Sequence, residues 1–298
     1  MDGLLVRLGR GEVLVGDGAW GTQLMARGLP AGRPPEWFAL ERPEVIEEVA
    51  RRYLEAGADL VTTDTFGASS FGLRRHGLEG ERERVNREAV AAVRRAVGER
   101  ALVSASVGPS GELLEPFGDA SPEALEEAFA EQVAVLAGAG ADLVCIETMT
   151  DLTEATRAVK AAKAVAPTLP VMAAMTFERT PRGYFTVMGV SVDRAVAGLL
   201  AAGADVVGSN CGTGIADMVE IAREMAKTTS RPIVIQPNAG LPRATAQGTV
   251  YDETPESMAA RVPELLDLGV AVVGGCCGTT PQHTRALRQA VDARRRRT

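Results

Sequence analysis

The sequence predicts an α/β fold in which a strand–helix unit repeats eight times. Three observations carry this prediction. Eight short apolar runs alternate with segments of helical spacing. Ala-Gly-Ala-Asp recurs before the second, fourth and sixth runs, at 56–59, 139–142 and 202–205, and Leu-Gly-Val-Ala at 268–271 leads into the eighth. The turns into the runs are tight, whereas several connections leaving them are long. Eight parallel strands with eight helices form a (β/α)8 TIM barrel, and 298 residues suit one such domain. No linker divides the chain, so residues 1–298 read as a single barrel domain. An open doubly wound sheet is the competing arrangement.

In order, the strands are expected at 13–16, 60–65, 101–107, 143–147, 171–177, 206–210, 233–237 and 270–274. Continuous apolar runs of Val, Ile and Ala suit parallel strands covered on both faces. Between them, Val45, Val49 and Leu54, and later Leu125, Phe129, Val133 and Leu136, recur at helical spacing. Ser121-Pro122 is a helix start, with Ser as N-cap and Pro at the first helical position. The glycine of each recurring tetrapeptide is expected to end the preceding helix in a left-handed turn. The long segments 28–43, 108–121, 178–191 and 238–255 all follow strands. That is the side of a barrel on which active sites are built.

Composition narrows the function. The hydrophobic share of 46% is ordinary for a protein with a large core. Acidic residues outnumber basic ones, 39 to 32, for a net charge of −7. That opposes nucleic-acid binding, which needs a basic face. The basic run Arg294 to Arg297 suits a helix C-terminus instead. No apolar stretch is long enough to span a bilayer, and residues 1–7 lack a signal-peptide pattern. A cytoplasmic location with reduced cysteines is therefore expected. Four cysteines in this length are no disulfide scaffold.

Three of those cysteines are flanked by glycine at strand ends. Cys211 lies in Gly-Ser-Asn-Cys-Gly, and Cys276 and Cys277 in Gly-Gly-Cys-Cys-Gly. In a barrel both groups reach one rim, where three thiolates can hold Zn²⁺ with a coordination position open. Neighbours on a regular strand point to opposite faces, so the adjacent pair needs the backbone freedom of its glycines. Buried structural thiols, or a disulfide between neighbours, are the alternatives. Asp17 ends the first strand beside Gly18 and Ala19, whose N–H groups offer a carboxylate seat. Asp17 as a plain helix cap is equally consistent with the residues. Glu147 ends the fourth strand after four apolar residues. Asp17 and Glu147 at one mouth make an anionic pocket suited to an ammonium group, or else two carboxylates satisfied by loop amides. Cys145 reads as barrel filling. Asn210 either orients substrate or satisfies loop backbone, and Asp64 either reacts or braces its loop. His76 and His283 read as ordinary surface residues rather than ligands.

Gly16-Asp17-Gly18-Ala19-Trp20-Gly21-Thr22, Asp64-Thr65-Phe66-Gly67-Ala68, Ile146-Glu147-Thr148, Asn210-Cys211-Gly212 and Gly274-Gly275-Cys276-Cys277-Gly278 resemble the homocysteine S-methyltransferase family over almost the whole chain. Asn238-Ala239-Gly240-Leu241-Pro242 and Tyr251-Asp252-Glu253-Thr254-Pro255 are most similar to the homocysteine module of cobalamin-dependent methionine synthase. The resemblance implies a zinc-dependent barrel that methylates homocysteine to methionine. It implies Zn²⁺ on Cys211, Cys276 and Cys277, the amino group on Asp17 and Glu147, and the carboxylate on the Gly18 and Ala19 N–H groups. The betaine-using branch has aromatic residues at two positions that fall here on Gly67 and Thr148, leaving Trp37. The chain is too short for the folate, cobalamin and activation domains of a full methionine synthase. The expected donor is thus methylcobalamin or a methylated corrinoid protein acting in trans. S-methylmethionine or S-adenosylmethionine is the alternative donor, and a non-catalytic zinc- and thiol-binding module the alternative role.

Overall fold

The computed structural model describes residues 2–245 and 248–296. Eight parallel strands form the barrel: β1 (Leu14–Val15), β2 (Leu60–Thr62), β3 (Leu102–Val107), β4 (Leu143–Met149), β5 (Val171–Met175), β6 (Val206–Asn210), β7 (Ile233–Gln236) and β8 (Val270–Val273). Each pairs with its neighbour in sequence, and β8 pairs with β1 through Leu14–Val272 and Val15–Val273. The last seam, between β1 and β2, is carried by the Gly16–Leu60 bridge. The closed-barrel expectation therefore holds, and the open sheet does not.

Side chains alternate as the pleat requires. Leu14, Leu60, Leu102, Leu143, Cys145, Met172, Val206, Val234 and Val272 fill the barrel interior. Val15, Val61, Val103, Val144 and Val207 face the helices in the larger core. Leu4, buried with the interior set, comes from a short helix, Leu4–Gly9, that the periodicity of the opening residues did not reveal.

The recurring tetrapeptide has a physical role. Its glycines Gly57, Gly140 and Gly203, with Gly269 in the eighth unit, take φ of +100°, +96°, +109° and +81°, the left-handed turn expected at a helix end. Each aspartate then reaches sideways to the preceding strand. Asp59 accepts a hydrogen bond from Val15 N (2.9 Å), Asp142 from Val103 N (2.7 Å) and Asp205 from Val171 N (2.8 Å). The backbone N–H of the same aspartates donates to the carbonyls of Val15, Val103 and Val171. A cation balances each carboxylate: Arg7 and Arg288 at Asp59, Arg94 at Asp142 and Lys163 at Asp205. The aspartates staple odd strands to even ones at the end opposite the site. Asp205→Ala should lower unfolding stability by about 1–3 kcal/mol, the cost of orphaning a charge-assisted bond. Asp267→Ala, which removes only an exposed pair with Arg294, should leave it almost unchanged. Urea titration compares the two.

Several strand ends differ from expectation for identifiable reasons. β2 stops at Thr62 rather than continuing to residue 65, because Ser106 N donates to the Thr63 hydroxyl (3.1 Å) in place of a backbone carbonyl. β4 runs on to Met149 with a register break after Ile146, where Thr148 adopts φ +60°. The segments 178–191 and 238–255 each carry a two-stranded hairpin, Glu178–Thr180 with Gly183–Phe185 and Arg243–Thr245 with Gly248–Val250. Ser121 caps its helix by accepting from Ala124 N. Arg294 and Arg295 occupy the last turn of the final helix, and Arg297 lies outside the described residues. Among the described residues no helix is long and apolar enough to cross a membrane.

Candidate metal centre and substrate pocket

Cys211 follows β6, and Cys276 and Cys277 follow β8. Cys211 takes φ +59°, which turns its side chain off the strand path while its N–H donates to Gln236 O (3.1 Å). β8 has already ended at Val273, so the adjacent cysteines sit on a loop and escape the alternation of a strand. That loop is fastened to residues 237–239: Cys276 N donates to Pro237 O (2.8 Å), and Ala239 N to Cys277 O (2.9 Å). All four cysteines are free thiols, so no disulfide joins the neighbouring pair. The sulfurs of Cys211, Cys276 and Cys277 lie within 4.8 Å of one another, with Cys211 and Cys277 at 3.9 Å. Cys145 is buried in the barrel interior, where burial pushes its thiol well above the ordinary range.

Within the trio, Cys211 is the thiol most easily ionised. Hydrogen bonds from the Cys276 and Cys277 thiols hold Cys211 down to about 3. Donating to Cys211 pushes Cys277 up to about 11 and Cys276 well above the thiol range. Three soft donors converge with no cation bonded to them among the described residues. This donor set fits a thiophilic divalent metal, which would displace the remaining protons.

Two carboxylates share the pocket. Asp17, almost fully buried, accepts from Trp20 Nε1 (2.8 Å), Thr62 N (2.7 Å) and Thr62 Oγ1 (2.8 Å). Burial still pushes it up to about 6. Glu147 accepts from Ser106 Oγ (2.6 Å) and Asn210 Nδ2 (3.3 Å). Its pKa rises to about 7, first through desolvation, then through the charges of Asp17 and Cys211. A buried and a half-buried acid beside three thiols leave a region short of positive charge. Asn210, fully buried, links these groups: its amide donates to Glu147, Thr148 Oγ1 (2.8 Å) and Cys276 Sγ (3.8 Å), and its carbonyl accepts from Thr148 N (2.7 Å).

The seat at Gly18 and Ala19 is more occupied than the sequence suggests. Ala19 N donates to Thr279 Oγ1 (3.0 Å), and Ala19 O accepts from Tyr53 OH (2.6 Å). A Cβ at Gly18 would meet Thr279 Oγ1 at 2.5 Å, so only glycine lets Thr279 approach. Thr62, Ser106, Thr148, Thr279, Asn238 and Tyr251 were not singled out as site residues from the sequence. Asn238 N donates to Thr213 O (2.9 Å), two residues beyond Cys211, and the Tyr251 ring lies against Gly278, next to Cys277. Their signal was available, since Asn238 and Tyr251 open two of the similar motifs.

The remaining candidates are structural. Asp64 is buried with Oδ2 unpartnered, and burial beside the Glu36 carboxylate raises it well above the carboxylate range. His283 is buried rather than on the surface, because its ring accepts from Thr280 N at its helix start and its other nitrogen meets Glu253 O (3.0 Å). His76 is exposed at the end of the helix Ser70–Arg74.

The pattern that defines homocysteine S-methyltransferases matches residues 14–291. The chain belongs to the homocysteine S-methyltransferase family. Within that family it is similar to the methionine synthases of Mycobacterium leprae and Mycobacterium tuberculosis, at 34% identity over 94% of this chain in each case. The chain spans about a quarter of these relatives, 24% and 25% of their lengths. The homocysteine methyltransferase MmuM from Escherichia coli, in its metallated form, superposes with a TM-score of 0.80 at 25% identity, covering 95% of this chain and 98% of that one. Its oxidized form gives the same score at 97% and 99% coverage. The homocysteine S-methyltransferase barrel thus accounts for the chain from β1 to the final helix.

Proposed function

We propose that this barrel, read as one homocysteine-binding domain over residues 1–298, transfers a methyl group to the thiol of homocysteine, giving methionine. The observation that carries the reading is the convergence of three cysteine sulfurs within 4.8 Å beside two carboxylates, Asp17 buried and Glu147 half-buried. Cys211, Cys276 and Cys277 would hold Zn²⁺. Bound there, Zn²⁺ would supply the Lewis acid that keeps an acceptor thiol, ordinarily near ~8.5, deprotonated at neutral pH.

The chain's own residues then orient the acceptor. Asp17 and Glu147 receive its ammonium group, and Asn210 keeps Glu147 aligned with the cysteines. Gly18 and Ala19, with Thr279, receive its carboxylate. The donor is a methylated corrinoid supplied in trans, as free methylcobalamin or on a separate protein. The likeness to methionine synthases supports that choice. S-methylmethionine or S-adenosylmethionine is the alternative donor. A non-catalytic zinc- and thiol-binding role is the other alternative. It would show as zinc and homocysteine binding without methionine from any donor. A cytoplasmic setting, which keeps the thiols reduced, suits this chemistry.

The test is homocysteine binding to zinc-loaded protein, followed by X-ray absorption and calorimetry. A fourth sulfur should join the metal shell with release of a proton. Asp17 at about 6 and Glu147 at about 7 must be ionised to hold an ammonium group. Both values are raised, so the carboxylates form only as pH climbs through these values. Homocysteine affinity should fall as pH drops from 8 to 5.5. Glu147→Gln and Asp17→Asn should each weaken binding by about 1–3 kcal/mol and flatten that dependence, with zinc content intact. Parental affinity in both variants would place the ammonium pocket elsewhere.

A further inference from the structure

The segments that carry the three cysteines meet at one residue outside the sulfur cluster, Glu253. It stands half-buried between the second hairpin and the helix Pro255–Ala260. Its carboxylate accepts from Ile215 N (3.2 Å), four residues after Cys211. Its N–H donates to Ala239 O (3.0 Å), and Ala239 N in turn donates to Cys277 O (2.9 Å). Its carbonyl meets His283 Nε2 (3.0 Å) in the first turn of the final helix, six residues after Cys277. His283 Nδ1 accepts from Thr280 N, so the neutral ring carries its proton on Nε2 and donates it to Glu253.

The helix Ile215–Thr228 begins after Gly214, which has no side chain to cap it. Its first N–H is served instead from another part of the chain, by an anion at the positive end of the helix. The approach is close: a Cβ at Gly214 would lie 2.9 Å from Glu253 Oε2 and 3.2 Å from Gly240 Cα. A side chain there would push the carboxylate off Ile215. Between Cys211 and this helix stand Gly212, Thr213 and Gly214, a turn with little stiffness of its own. Fixing the helix start therefore helps to fix Cys211. Cys211 N and Asn238 N tie this turn to the β7 side, through Gln236 O (3.1 Å) and Thr213 O (2.9 Å). Glu253 joins it to the β8 side, through Ala239 and His283.

We propose that Glu253 is a positioning residue of the metal centre: it caps the helix after Cys211 while its backbone holds Ala239 and His283, and so sets Cys211 against Cys276 and Cys277 before the metal arrives. The inference rests on the zinc-bound reading above. Glu253 acts through the backbone of the cysteine segments and is not itself a ligand. Its effect falls on metal affinity, because ligands ordered beforehand spare the cost of ordering them on binding.

The experiment measures zinc affinity by competition with a chromophoric chelator and records the spectrum of the Co²⁺-loaded protein. Glu253→Ala removes the cap, and Glu253→Asp withdraws it by one methylene while keeping the charge. Each should weaken zinc binding about tenfold, the lower end of the cost of losing support behind a metal ligand. Each should also shift the sulfur-to-metal charge-transfer band and speed amide hydrogen exchange at Ile215 in the metal-free protein. Glu253→Gln leaves an amide oxygen for Ile215 N. Neutral oxygens cap helices about as well as charged ones, so this variant should bind zinc like the parent. Ser121→Ala removes the cap of the helix Pro122–Gly138, which follows β3 and carries no cysteine. It controls for general destabilisation and should keep parental zinc affinity. Parental affinity in Glu253→Ala or Glu253→Asp, or an equal loss in Glu253→Gln or Ser121→Ala, would overturn the positioning inference while leaving the methyltransferase reading intact. Failure of the parent to take up zinc, measured on the same samples, would overturn both.

Discussion

Alanine at Cys211, Cys276 or Cys277 is expected to remove most bound zinc and to reduce methionine formation by more than about 100-fold, beyond the usual cost of losing a supporting residue at a metal site. Each sulfur sits within 4.8 Å of the other two, and no fourth cysteine is near enough to substitute. Two thiolates could still bind a divalent ion, but more weakly and with a changed charge at the acceptor position. Cys145→Ala is the internal control. Its side chain fills the barrel interior, so the variant should lose packing stability yet keep its metal. Metal analysis with sulfur- and zinc-edge absorption measures all four variants. A mainly nitrogen or oxygen shell in the parent, or full zinc retention in any of the three single variants, would dismantle the centre as drawn.

The barrel and the cysteine centre were legible in the sequence for definite reasons. Strand positions follow from apolar runs that must be covered on both faces, and closure from an eight-unit count. The cysteines stood out because core packing gives no reason for three thiols among glycines at strand ends. Strand limits were less legible. The Thr63 hydroxyl ends β2 by taking the Ser106 N–H, a contact across 43 positions of chain. The helix Leu4–Gly9 escaped notice because its role, burying Leu4 in the barrel interior, depends on strands far along the chain. Asn210 was read as orienting substrate or satisfying backbone. The structure gives it four hydrogen bonds, to Glu147, Thr148 and Cys276. The occupant of the Ala19 N–H was invisible for the same reason, since Thr279 lies 260 positions away.

Betaine is expected to be a poor donor. A quaternary ammonium is held chiefly by aromatic faces, each worth about 1–2 kcal/mol once desolvated. The positions that would supply two of them are Gly67 and Thr148. A side chain cannot simply be restored at Gly67: its Cβ would lie 2.8 Å from Glu36 Oε1, which already accepts from the Gly67 N–H. Thr148 is committed as well, with φ +60° and both its N–H and hydroxyl engaged by Asn210. Trp37 remains, half-buried and packed edge-on to Phe38 at 5.3 Å. Two absent rings predict kcat/KM for betaine roughly 30- to 1,000-fold below that for the best donor. Methylcobalamin is expected to be that donor. A corrinoid is broad, and glycine at position 67 leaves the mouth without a ring to obstruct it. Methyl–cobalt also needs no general acid at the leaving group, and neither histidine of this chain meets the cysteine trio: His76 is exposed and His283 caps a helix. Methionine formed from homocysteine is measured with methylcobalamin, S-methylmethionine, S-adenosylmethionine and betaine on one zinc-loaded sample. A clear preference for S-methylmethionine would replace the corrinoid assignment with the sulfonium one. Efficient turnover of betaine would mean that Trp37 and the surrounding loops build a cation site without the two missing rings.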